Sequence, residues 1–257
     1  MNYCIATHTD VGIKKDTNQD SYCVMEAETP KGNILLTIVC DGMGGLESGE
    51  VASTSIIKAF KKWFCEVLPY TLASDTYYED SKYEWDRIIK AQNQAIAAYG
   101  RQKHIQLGST ITAFIAFEDG KYLIGHVGDS RVYRIDNKSL AILTTDQTVV
   151  ANEVRRGKLT LEQAERDPRR NVLLQCVGAS RIVEPEYISG LVEPETCYMI
   201  CSDGFRHEIS KSEIQNAFAP IANDNELQMK NNIIRLIEAD KNRGETDNIT
   251  AILIKCT

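Results

Sequence analysis

Residues 33–45 read NILLTIVCDGMGG. The first eight, Asn33 to Cys40, are rich in Ile, Leu and Val and predict a buried strand, apolar on both faces. The run stops at Asp41, and Gly42-Met43-Gly44-Gly45 follows at once. A carboxylate at a strand end is held rigidly, and glycines beside it let a backbone carbonyl come close to whatever the carboxylate binds. An apolar strand has no need of an acid there, so the motif raises the question of which cation it serves.

The same arrangement recurs along the chain. Asp129 closes a strand-like run in IGHVGDSR, Asp203 closes one in MICSDGF, and Asp247 precedes one in GETDNITAILI. In an antiparallel sheet the start of one strand lies beside the end of its neighbour, so all four carboxylates can gather at one rim. Asp20, in TNQDS ahead of an early strand, can join them. Converging acids repel one another and their pKa values rise, a cost that a hard divalent cation removes. Oxygen-only ligands favour Mg²⁺ or Mn²⁺, and the lack of His or Cys in these motifs disfavours zinc. The plainer reading is that Asp-Gly pairs are turns. Two Asp-Gly and one Gly-Asp at strand ends, with Asp-Asn before the last strand, weigh against it. GMGGLESGE has neither the Gly-Lys-Ser/Thr of a P-loop nor the GxGxxG spacing of a dinucleotide fold.

The chain has 257 residues, 43% of them hydrophobic and 25% charged, which suits one large domain. A net charge of −7 argues against nonspecific binding to nucleic acid or anionic membrane. No apolar run approaches a membrane span, and MNYCIATHTD lacks a basic region followed by an apolar core, so no signal peptide and a cytoplasmic location are expected. None of the eight cysteines forms a CxxC pair. Most sit in apolar runs, which favours buried reduced thiols over a zinc site or a disulfide framework.

Strands are expected at Tyr3–Thr7, Ser21–Glu26, Ser109–Phe117, Lys121–Val127, Ser130–Ile135, Leu140–Thr144 and in RIVEPEYI, CYMICS and NITAILIKC. Glu118-Asp119-Gly120 marks a hairpin turn. Helices are expected over Val51–Val67, with Val51, Ile56, Ile57, Phe60, Phe64 and Val67 on one face, and over Tyr83–Tyr99, with Trp85, Ile88, Ile89 and Ile96 facing inward. Ser74 to Ser81 reads as a loop. Thr145 to Ser180 is charged and helical, with a capping box at Thr160–Gln163. Helices at Lys211–Phe218, opened by the same capping pattern in Ser210-Lys-Ser-Glu213, and at Glu226–Lys241 follow. Helices, a block of strands, then helices again imply an α+β, four-layer α-β-β-α sandwich with two central antiparallel sheets flanked by helices. With no repeat and no linker, a single domain over 1–257 is expected.

In order along almost the whole chain stand Asn18-Gln19-Asp20, DGMGG (41–45), Gly108-Ser109-Thr110, Gly128-Asp129-Ser130-Arg131, Ser202-Asp203-Gly204 and Asp247-Asn248-Ile249-Thr250. This set resembles the metal-dependent protein serine/threonine phosphatases, the protein phosphatase 2C or PPM family, in its bacterial form. The resemblance implies two Mg²⁺ or Mn²⁺ ions. Asp41 would bridge them, Asp203 and Asp247 would hold the first, and the Gly42 carbonyl the second with Asp20 beside it. Asp129 and Asp203 match the positions of a third ion bound by many bacterial members, and Asn248 would support Asp247. It implies a water activated between the ions that attacks phosphorus in line, with no phosphoenzyme. His8, His104, His126 and His207 then need not be nucleophiles and are expected to be structural or surface residues. Lys15 stands where the family carries a phosphate-gripping Arg; a lysine is a point charge without a planar fork, and an ordinary solvated lysine is the plainer reading. Met43 replaces the His of many eukaryotic members, so the leaving group would take its proton from water or a metal-bound water. Residues 145–180 match the family's flap, where Arg155, Arg156, Arg166, Arg169 and Arg170 either meet acidic phosphopeptides or form a solvated charged face. The implied partners are phosphoprotein substrates and an opposing serine/threonine kinase, and a monomer is expected. A catalytically silent phosphoprotein-binding module and a hydrolase of small phosphoesters are the other readings. Only Lys15 favours the first of these, and the complete acidic set opposes it.

Overall fold

The computed structural model describes residues 2–29, 32–44 and 48–257; Gly45, the last letter of DGMGG, lies outside them. The chain opens with β1 (Tyr3–Asp10), β2 (Ser21–Thr29), β3 (Gly32–Cys40) and the short β4 (Gly42–Gly44). Helices α1 (Gly49–Glu66), α2 (Leu68–Thr71) and α3 (Tyr77–Lys103) follow. Then come β5 (Leu107–Ser109), β6 (Ile111–Ala116), β7 (Lys121–Val127), β8 (Arg131–Ile135) and β9 (Leu140–Ile142). After α4 (Val149–Arg155) and α5 (Leu161–Arg166) the chain forms β10 (Glu186–Leu191) and β11 (Thr196–Cys201). It ends with α6 (Lys211–Phe218), α7 (Glu226–Asn242) and β12 (Ile249–Cys256).

Two five-stranded sheets result, ordered β1-β12-β11-β8-β9 and β10-β7-β6-β3-β2, with antiparallel pairing throughout. Three apolar clusters fill the three gaps between four layers. Leu35 and Val39 of β3 meet Phe114, Val132, Tyr198, Ile200 and Ile252 between the sheets. The alternate residues of the same strand, Leu36, Ile38 and Cys40, pack outward on Phe60 and Trp63 of α1 and Trp85 of α3. On the far side Met199, Cys201 and Leu253 pack on α6 and α7 through Phe218, Ile233 and Ile237. Burial on both faces is why β3 shows no polar alternation, and the four-layer sandwich expected from the sequence is the architecture observed.

Several boundaries differ from expectation. Helix α3 begins at Tyr77, inside the expected loop, because Tyr77 and Tyr78 pack edge-on against Phe117 and Ser81 Oγ bonds the Tyr77 carbonyl. Val51 is exposed rather than on the buried face of α1. The expected strand at Ser109 is split at Thr110, whose hydroxyl turns to the Asp41 amide. Strand β10 starts at Glu186, not Arg181, because Gln175 binds both the N–H and the C=O of Glu184. Both capping boxes predicted from sequence form, at Thr160 and Ser210. All eight cysteines are free thiols. Among the described residues, no helix is long and apolar enough to cross a membrane.

Candidate metal centre

The strand pairing brings the acids to one end of the sandwich. Ser21 pairs with Cys40, so Asp20 enters β2 beside the point where Asp41 leaves β3. β6 is antiparallel to both β3 and β7, so β7 runs with β3 and delivers Asp129 at the same end. In the other sheet Cys201 pairs with Ala251, which sets Asp203, after β11, beside Asp247, before β12. The two sheets are tied across this end. Ser202 Oγ donates to Asp20 Oδ2 at 2.9 Å, and the carboxylates of Asp20, Asp41 and Asp203 are close enough for each to feel the charge of the others.

The loops that present these acids are held by a side chain expected only to support Asp247. Asn248 Oδ1 accepts from the Gln19 amide at 2.9 Å, while its Nδ2 donates to the carbonyls of Val11 and Thr17 at 2.9 and 3.1 Å. The Gly42 amide in turn donates to the Gln19 carbonyl. Strand β4 pairs with β5, Gly42 opposite Ser109, a small third sheet that the glycine-rich letters did not announce. Gly42 lies so close to the backbone of Gln19 and Gly49 that a side chain would overlap both. The Asp41 amide and carbonyl are both taken by Thr110, whose hydroxyl lies 3.1 Å from that of Ser130. Three motifs distant in sequence thus fix one carboxylate.

Burial, together with the carboxylates around it, pushes Asp20 up to about 7 and Asp129 up to about 7, and raises Asp41 well above the usual carboxylate range. Asp203 is the exception. Burial would raise it too, but His207 and Arg206 beside it hold it well below that range. His207 Nε2 lies 3.3 Å from Asp203 Oδ2 and its Nδ1 lies 2.8 Å from Glu245 Oε2. Burial opposes the imidazolium, yet these two carboxylates lift it to about 10. Arg206 Nη2 donates to the Asp129 carbonyl at 2.9 Å and lies 3.5 Å from Asp129 Oδ2. Lys15, half exposed, pairs with Asp247 Oδ1 at 3.1 Å.

Among the described residues, no three His, Cys, Asp or Glu side chains stand arranged to hold an ion between them. Asp41 and Asp203 meet; Asp247 is turned to Lys15 and Asp129 to Arg206. Two observations nevertheless fit the group to the site. Asp20 Oδ1 and Asp203 Oδ1 are buried with no hydrogen-bond partner, which is costly unless something else ligates them. The donors are all oxygen, and Mg²⁺ is usually held by one or two carboxylates with waters completing its shell. Glu245, Arg206 and Asp146 are not among the residues expected from the sequence, and His207 is expected there only as a structural or surface residue. The i,i+4 spacing of Asp203 and His207 was a usable signal; nothing in the sequence pairs Asp146 with Arg131, 15 residues away, which it binds through two hydrogen bonds of 2.8 and 2.6 Å.

Residues 11–236 match the family model described as Protein phosphatase 2C. The chain is 30% identical over 253 residues to a putative protein phosphatase 2C-type of Streptococcus pyogenes, covering 97% of this chain and 96% of that protein. Its structure is similar to that of the S. agalactiae serine/threonine phosphatase, with a TM-score of 0.83 and 27% identity over the whole of both chains. It is also similar to the catalytic domain of the serine/threonine protein phosphatase PstP in complex with two manganese ions, with a TM-score of 0.76 and 27% identity over 98% of this chain and 97% of that one.

Proposed function

This chain belongs to the protein phosphatase 2C family, and from that premise we propose which of its residues carry the activity. It is a Mg²⁺- or Mn²⁺-dependent protein serine/threonine phosphatase using two ions. We assign Asp41, Asp203 and Asp247 to one ion, and Asp41, the Gly42 carbonyl and Asp20 to the other. The observation that carries the assignment is the meeting of Asp20, Asp41 and Asp203 from two sheets, with two buried carboxylate oxygens left without partners. When bound, the ions supply the positive charge that acidifies water and offsets the phosphoryl oxygens.

The chain's own residues do the placing. Asn248 and Thr110 hold the backbone around Asp20 and Asp41, so the carboxylates are aimed before substrate arrives. His207, braced by Glu245, orients Asp203 as a positioning residue. For Asp247 to serve an ion, it exchanges its pairing with Lys15. Lys15, with more than a third of its side chain in solvent, is then free to meet the substrate phosphate. Residues 1–257 act as one catalytic unit, with 145–180 as a flap beside the site. A serine/threonine kinase supplies the phosphoprotein substrates.

Dephosphorylation of a phosphothreonine peptide and of p-nitrophenyl phosphate, with Mn²⁺ and with EDTA, tests this function. The expected result is Mn²⁺-dependent turnover of the peptide that EDTA abolishes; hydrolysis of p-nitrophenyl phosphate alone would point to small phosphoesters instead. Lys15→Arg is expected to lower KM for the phosphopeptide several-fold, because a guanidinium grips phosphate with two parallel hydrogen bonds. An unchanged or higher KM in steady-state assays removes Lys15 from phosphate binding.

A further inference from the structure

The acid expected to hold a third ion is already matched with a cation of the chain. Asp129 has its backbone carbonyl hydrogen-bonded by Arg206 Nη2 at 2.9 Å and its Oδ2 3.5 Å from the same nitrogen. That guanidinium is also 3.5 Å from Asp146 Oδ2, and Asp146 is itself gripped by Arg131, which Tyr133 steadies through its hydroxyl. Arg206 is 13% exposed and the Asp129 side chain 6%. The charge of Arg206 also acts on Asp203, the second carboxylate that a third ion would need.

We propose that Arg206 is a built-in counter-ion that takes the place of the third divalent ion, so that this phosphatase binds two ions and not three. The inference rests on the two-ion assignment above. A dication between Asp129 and Asp203 would lie against a guanidinium that does not lose its proton in proteins. Nor can Arg206 withdraw without cost, since its guanidinium is largely buried and would also give up the Asp129 carbonyl and Asp146 Oδ2. The Lys15–Asp247 pair is built differently: 43% of the lysine side chain is in solvent, and a flexible ammonium can leave for water. One ligand of the site is therefore releasable and the other is locked.

Counting bound Mn²⁺ by the electron paramagnetic resonance of the free ion tests this without an activity readout. The full chain should bind two ions, and Asp129→Asn should still bind two. Arg206→Met should bind a third at least tenfold more tightly than the native protein binds any ion beyond two. Three ions in the native protein, with one lost in Asp129→Asn, would overturn the proposal, as would a folded Arg206→Met that stays at two. Arg206→Gln replaces the Met variant if circular dichroism shows the latter unfolded. No Mn²⁺ bound by the native chain would instead overturn the two-ion assignment on which the inference stands.

Discussion

Asp203→Asn will lower the turnover of a phosphothreonine peptide by roughly 10²–10³-fold or more at saturating Mn²⁺, with the fold intact. The amide keeps the shape of the carboxylate but not its charge, and Asp203 is the acid of the centre that His207 and Arg206 hold below the usual carboxylate range. The strand ends that flank it do not depend on that charge for their place. The Ser202 amide donates to the Thr250 carbonyl, and the Thr250 amide to Ser202 Oγ, both at 3.0 Å. Asp41→Asn is expected to lose as much, because its carboxyl meets that of Asp203 and serves both ions in the assignment. A fall in kcat with little change in KM would place the loss in the transition state rather than in substrate binding. Retained Mn²⁺-dependent rates in both variants, with native circular dichroism, would refute the metal assignment.

Gly204→Ala is the second change with a large expected effect, and it leaves every assigned ligand's own chemistry unchanged. A methyl group there would overlap the Asn248 carbonyl oxygen and reach within 3.5 Å of Asp247 Cβ. The obstacle is backbone, so no side chain can rotate away to make room. The entry of β12 must move from the exit of β11, and with it Asp247 from Asp203. Overpacking of this kind costs about 1–3 kcal/mol, and a displacement near 1 Å at a reacting centre costs about 10²-fold in rate. Thermal unfolding and kcat measured together check both. A variant with native stability and native rate would show that the two loops slide past each other freely.

How much of this was readable beforehand depended on the range of the interaction. The run at 33–40 announced a strand covered on both sides because alternate residues of β3 face two different apolar layers, and both layers demand the same side chains. Capping boxes at Thr160 and Ser210 were legible because both partners lie within three residues. The acids were legible because each stands at a change from apolar strand to turn. The start of α3 was not: polar letters over 74–81 favour a loop, and what overrides them is a contact with Phe117, some 40 residues on. Likewise Met43 gives no hint of pairing with Gly108. The counter-charges Arg206 and His207 follow an acid in plain sight, yet their partners Asp146, Asp129 and Glu245 lie 38 to 77 residues away.

The small sheet of β4 and β5 extends one rung further. Ser109, which faces Gly42, also bridges Val177 with hydrogen bonds of 2.9 Å in both directions. Beyond Val177 the Gly178 amide donates to Asn93 Oδ1 and Asn93 Nδ2 to the Ser180 carbonyl, while at the other end Gln147 Oε1 accepts from the Gly128 amide. Both ends of the arginine-bearing segment 148–175 are thus bolted to the backbone that carries Asp41 and Asp129. A chimaera that borrows this segment from a relative should be spliced inside those bolts, after Gln147 and before Cys176. Cutting outside them would sever the bonds that hold the loops of Asp41 and Asp129 in place.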